Sequence, residues 1–572
     1  MSIQRPDDEA TGAGARLSLV GGGRRAATED APKPTPAPKP APKPAPTPAP
    51  TNDGVGGTVP GVALTHRQVL IVFSGLMLGM LLAALDQTIV ATALPTIVAT
   101  LHGGSHLSWV VSAYLLASTV TTPLYGKLSD LYGRKKLFQI AIVIFLAGSI
   151  LSGLAHSIDQ LIAFRALQGL GAGGLIALAM ATIGDIVSPR QRGRYQGYFG
   201  AVFAFASVAG PLIGGLFTEH LSWRWVFYIN VPLGIVALAV TTAVLRLPFR
   251  RLEHTIDYLG SLLLVMSVSA LLLVTVWGGS QYAWGSGVIV GLAVAGTALL
   301  VVFVLWERVA PEPILPPRLF RNDIFSVAGG IAFLQAMAMF GSIVYVPFYL
   351  QIADGVTPTV SGLLLLPLMG GLLTMSITSG RLVSRTGRYK VFPVLGALLT
   401  ALGLWLLTFL TTQTSHVTMS VYLFVLGAGM GMVIQNTVLA VQNAVAPRDM
   451  GTSTSALVFF RSLGAVFGTA LFGVIFVDRV NSTLPSLLPA RYRGGIKVSS
   501  SGLNVSPKAL HSLPTPVRHA IAEAMVRALH SVYWEAVPFA LLTIVLAVCL
   551  REIRLSDTSA LAASAEAVPP TG

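Results

Sequence analysis

After about residue 65 the chain alternates between long apolar runs and short polar breaks. Each run reaches about eighteen apolar residues or more, enough for a helix to cross a hydrocarbon core of about 30 Å. Fourteen such runs are centred near residues 82, 117, 146, 172, 207, 235, 268, 296, 335, 370, 401, 429, 466 and 542. Strand-like alternation is missing from them. Lipid admits only helices or closed barrels, so the pattern predicts helices. The fold class expected is an all-α polytopic membrane protein with 14 spans.

The polar breaks predict orientation. Basic residues cluster in every second break: Arg67, then Lys127 with Arg134 to Lys136, then Arg190, Arg192 and Arg194. The series continues through Arg246, Arg250 and Arg251, then Arg308, Arg318 and Arg321, then Arg381, Arg385, Arg388 and Lys390, and then Arg448. The intervening breaks at 100–108, 156–160, 278–286, 350–359 and 411–416 carry no Lys or Arg. Short basic loops stay in the cytoplasm, so both termini are expected there, in a multi-pass protein of the cell membrane. The segment 478–532 is basic yet falls on the outer side, and long loops translocate largely regardless of charge. Within it Val517, Ile521, Met525, Leu529 and Val532 recur at helical spacing, which fits either an amphipathic helix on the outer surface or a plain connector.

Composition agrees with the pattern. The chain is 53% hydrophobic and 11% charged, with mean hydropathy +0.71, against about 25% charged residues in soluble domains. The net charge of +14 sits in short loops and does not indicate nucleic acid. One cysteine, Cys549, excludes an intrachain disulfide. Residues 1–64 are rich in Pro, Ala and Lys, with too little apolar surface to offset the entropy of ordering, and read as a disordered cytoplasmic tail. Its Lys33, Lys39 and Lys43 are suited to anionic lipid heads. Residues 556–572 read as a second disordered cytoplasmic tail.

The chain repeats itself. Gly126-Lys-Leu-Ser-Asp-Leu-Tyr-Gly-Arg-Lys-Lys136 recurs as Gly380-Arg-Leu-Val-Ser-Arg-Thr-Gly-Arg-Tyr-Lys390, 254 residues on. Gly169-Leu-Gly-Ala-Gly173 recurs as Gly427-Ala-Gly-Met-Gly431, and Pro189-Arg-Gln-Arg-Gly193 as Pro447-Arg-Asp-Met-Gly451, both at 258. Common order and offset make two related halves. The domains expected are an N-terminal six-helix bundle (65–250), two linking transmembrane helices (251–322) and a C-terminal six-helix bundle (323–555).

These stretches carry a family resemblance over about residues 65–555. The loop 126–136, Arg165-Ala-Leu-Gln-Gly-Leu-Gly171, Gly210-Pro-Leu-Ile-Gly-Gly215 and Leu85-Asp-Gln-Thr-Ile-Val-Ala-Thr-Ala-Leu-Pro95 together resemble the fourteen-span drug:proton antiporters of the major facilitator superfamily. Ala206 departs from the helix 5 motif, which often has glycine there. The resemblance implies a major facilitator fold and proton-driven efflux of amphipathic small molecules by alternating access, with binding between the bundles. No cofactor is implied, only a proton gradient. The partners implied are substrate, protons and the bilayer.

The residues suggest roles. Asp86, deep in span 1, needs a partner or a function, since a carboxylate there costs about 2.5–3.5 kcal/mol on insertion scales. Arg165, at matching depth, is the natural partner, and the pair is expected either to couple protons or to fix helices. In the loop after span 2, Gly126 and Gly133 permit a tight turn, and Asp130 can pair with Arg134 or accept from a neighbouring helix start. With Lys135 these residues are expected to latch the cytoplasmic side. Gly210, Pro211, Gly214 and Gly215 are expected to pack span 5 tightly between the halves. Trp109, Tyr114, Gln335, Tyr345, Gln435 and Asn436 are candidate cavity residues. No metal cluster, phosphate loop or nucleophile triad is seen, so an enzyme is not expected. An exporter dedicated to one natural product or lipid remains open, as does a transport-inactive sensor, although neither tail resembles an output domain.

Overall fold

The computed structural model describes residues 66–101, 107–244, 256–279, 281–352, 356, 358–489, 498–499, 502–503 and 514–555. All belong to one compact unit, Thr58–Gly572. The tails 1–64 and 556–572, the basic residues Arg246, Arg250 and Arg251, and most of 490–513 lie outside the described residues.

The first half comprises α1 (His66–Leu101), α2 (Leu107–Tyr132), α3 (Arg134–Leu154), α4 (Ile158–Ile186), α5 (Pro189–His220), α6 (Trp225–Tyr228) and α7 (Asn230–Val244). Two helices follow, α8 (Tyr258–Trp277) and α9 (Gly287–Trp306). After the short α10 (Pro317–Phe320) come α11 (Asp323–Ile343), α12 (Val346–Ile352), α13 (Pro358–Leu363), α14 (Leu366–Thr386), α15 (Val391–Leu407), α16 (His416–Ala444), α17 (Met450–Leu487) and α18 (Thr515–Cys549). A two-residue antiparallel pairing, Val498–Ser499 with Gly502–Leu503, lies between the last two. Helix starts follow local chemistry. Ser157, Ser286 and Ser415 accept from the backbone three residues on, and Pro189 opens α5 at the position where its missing N–H costs nothing.

A helix lies over each of the fourteen expected centres. Among the described residues, twelve helices are long and apolar enough to cross a membrane; α2 and α15 fall outside that set, the latter being a shorter apolar helix. The apolar stripe after Thr515 is neither a separate surface helix nor a connector. It is the first part of α18, continuous with the last predicted span, and Val517, Ile521, Met525, Leu529 and Val532 are buried. They share a core with Val480, Leu484 and Leu488 at the end of α17 and beyond. Asp478 likewise lies within α17 rather than past its end. At 1.5 Å per residue these helices run to about 50–57 Å, well beyond a 30 Å core.

The contacts between helices repeat as the sequence does. In the first half α1 packs on α5 and α7, α2 on α4, and α3 on α4; in the second α11 packs on α17 and α18, α14 on α16, and α15 on α16. Across the halves, α2 meets α17 and α5 meets α14. The repeat maps α2 onto α14 and α5 onto α17, so the two crossings exchange under a two-fold relation. Glycines meet at both. A Cβ on Gly126 would lie 2.8 Å from the Gly451 carbonyl oxygen, and one on Gly193 2.6 Å from that of Gly380. Both crossings sit at the end of the bundle that carries the basic loops.

Candidate functional site

Asp86 and Arg165 meet. One Arg165 terminal nitrogen is 2.6 Å from Asp86 Oδ2, and the residues are 0% and 1% exposed. The other carboxylate oxygen accepts from Gln168 Nε2 at 2.8 Å and from Asn230 Nδ2 at 3.1 Å. Arg165 also donates to Gln168 Oε1 and lies 4.2 Å from the centre of the Tyr114 ring. Asn230 in turn donates to Ser149 Oγ. The arrangement satisfies both charges, which a buried ion pair requires. Protonating Asp86 would remove the charge that holds Arg165, Gln168 and Asn230 together. Asn230 and Ser149 were not singled out from the sequence, where a lone Asn opening an apolar helix was the available signal.

At the basic-loop end Asp130 does both things open to it. It pairs with Arg134 at 2.6 Å, and it accepts from the backbone N–H groups of Gly451 and Thr452 and from Thr452 Oγ1, at 3.0, 2.7 and 2.7 Å. Its charge therefore faces the positive N-terminus of α17 in the other half. Arg134 also reaches Asp185 at 2.7 Å and Ser129. Gly133 has φ 94°, which a side chain would strain. Lys135 does not join this cross-half contact, because its Nζ donates to the Thr242 carbonyl of its own half. Behind the loop, a second layer crosses the halves. Arg192 donates to the Gln442 carbonyl, Gln196 Nε2 to Gln442 Oε1, and Gln442 Nε2 to the Met180 carbonyl, each at 3.0 Å.

The helix 5 glycines pack elsewhere than expected. Gly210 and Gly214 lie against Thr88 and Thr92 of α1, inside their own half, and Gly215 has open space around it. Pro211 sits within α5. Packing between the halves is instead made by Gly193, Gly197 and Gly200, nearer the start of α5. Ala206 is buried and its carbonyl accepts from Thr88 Oγ1 at 2.8 Å.

A cavity of about 1190 Å³ lies between the halves, beyond the cross-half layer, and extends to Gln281, Asp478 and Asn481 at its far end. Of the six cavity candidates, Tyr345 and Gln435 line it. The others do not. Trp109 packs edge-on against Trp277, and Tyr114 is spent on the Arg165 site. Gln335 donates to Thr400 and lines a small adjoining recess, while Asn436 donates to Ser379 Oγ and the Met432 carbonyl. The cavity holds a residue that the sequence reading passed over, Arg461 of α17. Among the described residues no carboxylate pairs with it. A lone arginine eleven residues inside an apolar helix was its signal.

Residues 76–469 match the Major Facilitator Superfamily. An uncharacterised major-facilitator-type transporter of Mycobacterium tuberculosis is 44% identical over 487 residues, 85% of this chain and 70% of the relative. The multidrug transporter protein MdtP of Bacillus subtilis is 37% identical over 517 residues, 87% of this chain and 95% of its own length. Among solved structures, the proton:xylose symporter XylE superposes with TM-score 0.57 at 14% identity, over 88% of this chain and all of that one. Helical architecture, residue match and relatives agree, and the chain belongs to the Major Facilitator Superfamily as a multi-pass membrane transporter, not an enzyme.

Proposed function

We propose that this protein is a fourteen-span, proton-coupled exporter of amphipathic small molecules that works by alternating access. The observation that carries the reading is the sealed Asp86–Arg165–Gln168–Asn230 cluster. A carboxylate so deep, held by three donors on two other helices, supports a role as protonation switch: adding a proton would weaken contacts between α1, α4 and α7 together. Arg165 supports the coupling role as its counter-charge. With the basic loops on the cytoplasmic side and both termini there, the present conformation is the outward-facing one, closed by the two glycine crossings and by Asp130 on the start of α17. Gly126, Asp130, Gly133 and Arg134 then latch the closed cytoplasmic end. The similarity to MdtP, a multidrug transporter, supports small molecules as cargo. Inward flow of one proton supplies about 2.3 kcal/mol per 100 mV of membrane potential, and no nucleotide or other cofactor is needed.

The test is proton-gradient-driven uptake of a fluorescent amphiphile into inside-out vesicles, for the wild type and Asp86→Asn. Wild-type uptake that stops with an uncoupler and is lost in the variant supports the reading. Uptake that survives the uncoupler refutes proton coupling.

A further inference from the structure

We propose that Arg461 and Gln435 form an anion-recognising pair in the central cavity, so that the cargo includes amphipathic carboxylates. This rests on the transport reading above and names its substrate class.

Charge placement carries the argument. The carboxylate in the first half, Asp86, is fully buried and bonded within its bundle, and is not on the cavity wall. The charged group on the wall at mid-depth is Arg461. It sits eleven residues into α17, about 17 Å from the helix start at the basic-loop end. Asp478, the acid at the far end of the cavity, lies 17 residues further on the same helix, about 25 Å away and too far to neutralise it. An arginine kept inside a membrane bundle faces a partner or a water-filled path. Here the protein provides no partner among the described residues, and the cavity provides the path.

Gln435 supplies the second donor. It lines the same cavity from α16, nine residues from that helix's basic-loop end, about 14 Å in. Its depth therefore matches that of Arg461. Among the described residues no acceptor takes its Nε2, which leaves that N–H group to donate to a ligand; its Oε1, an acceptor, is buried without a partner and takes no part in holding an anion. A guanidinium and a free amide at one level suit a carboxylate, which takes parallel N–H bonds from arginine and keeps a lone pair for another donor. The rest of the wall, including Phe203, Met339 and Met430, is apolar and suits the body of an amphiphile.

The fold does not itself demand a cation there. The 258-residue repeat puts Phe203 at the position matching Arg461, and Phe203 also lines the cavity. A structural slot that accepts phenylalanine in one half has no need of arginine in the other.

The experiment is equilibrium binding of 9-anthracenecarboxylate and its methyl ester to the full-length protein in nanodiscs, at equal pH throughout. The wild type is compared with Arg461→Gln and Arg461→Lys, and with Gln435→Leu as an independent second variant. Thermal melting checks that each is folded. The expected result is that Arg461→Gln weakens carboxylate binding about tenfold or more while leaving the ester nearly unchanged. Arg461→Lys should fall between, since it keeps the charge but not the fork. Should Arg461→Gln fail to melt cooperatively, a carboxylate-selective loss in Gln435→Leu supports the pair in its place. A wild type with no preference for the carboxylate, or equal losses for acid and ester, overturns the proposal. Because no gradient is applied, the outcome is independent of whether Asp86 couples protons.

Discussion

The two halves share a fold but place charge in opposite ways. In the first, Arg165 and Gln168 of α4 close on Asp86 deep inside the bundle. The repeat puts Leu423 and Leu426 of α16 at those two positions, and both are fully buried in an apolar core. Conversely, apolar Phe203 in the first half is matched by Arg461 in the second, on the cavity wall. At these positions one half thus hides a satisfied ion pair, and the other presents a cation that no carboxylate among the described residues pairs with. Duplicated backbone positions do not fix polarity: at these matched positions one half keeps its charge within the bundle and the other turns it towards the space between them.

The contrast breaks most sharply in stability. Arg165→Leu should cost about 3–5 kcal/mol, because it strands Asp86 without its counter-charge, whereas Arg461→Leu should be neutral or stabilising, since it strands no partner among the described residues. Denaturant or thermal unfolding in one detergent checks both. If the two cost the same, Arg461 has a partner and the comparison fails. Next in size, Gly380→Leu forces a side chain into the Gly193 backbone and should penalise the closed basic-loop end by about 1–3 kcal/mol. Spin-label distances between the loops after α2 and α14 should lengthen. Asp130→Asn removes the charge facing the α17 N-terminus and should shift the same distances less, for an effect of up to about 2 kcal/mol.

The last prediction is a control away from the compared sites. Glu307, just past α9, accepts from the backbone N–H groups of Ile314 and Leu315, and burial pushes its carboxyl from 4.5 up to about 7. A raised carboxyl binds its proton more tightly in the folded state, so it contributes stability at low pH that is lost as pH rises from 4.5 to about 7. Glu307→Gln should flatten the wild-type decline in melting temperature over that window. The pH dependence of transport, measured in vesicles, should persist in Glu307→Gln.

Much of this was legible in the sequence, for identifiable reasons. Helix positions follow from apolar runs long enough to span lipid and free of strand alternation, which leaves helices as the way to satisfy their backbone, and the pairing of Asp86 with Arg165 follows from the cost of leaving either alone. The partner of Asp130 was readable only as a class, a neighbouring helix start; that it is α17 depends on the two-fold crossing. The helix 5 glycines were misplaced because spacing shows that a face is small, not which neighbour meets it. Trp109, Tyr114 and Asn436 were misassigned because a polar or aromatic residue in an apolar helix has the same signature whether it faces a cavity or a neighbouring helix. Arg461 was legible by the argument used for Asp86, a buried charge needing an account, but its meaning depended on seeing which space it lines.

The central claim is that proton coupling and cargo binding use separate groups, Asp86 inside the first bundle and Arg461 on the wall of the cavity between the halves. It is tested most directly in proteoliposomes containing Asp86→Asn, by measuring exchange of labelled for unlabelled cargo at equal pH alongside gradient-driven uptake. The account predicts that exchange persists while gradient-driven uptake is lost. Loss of exchange together with uptake would place Asp86 in cargo binding and contradict the division.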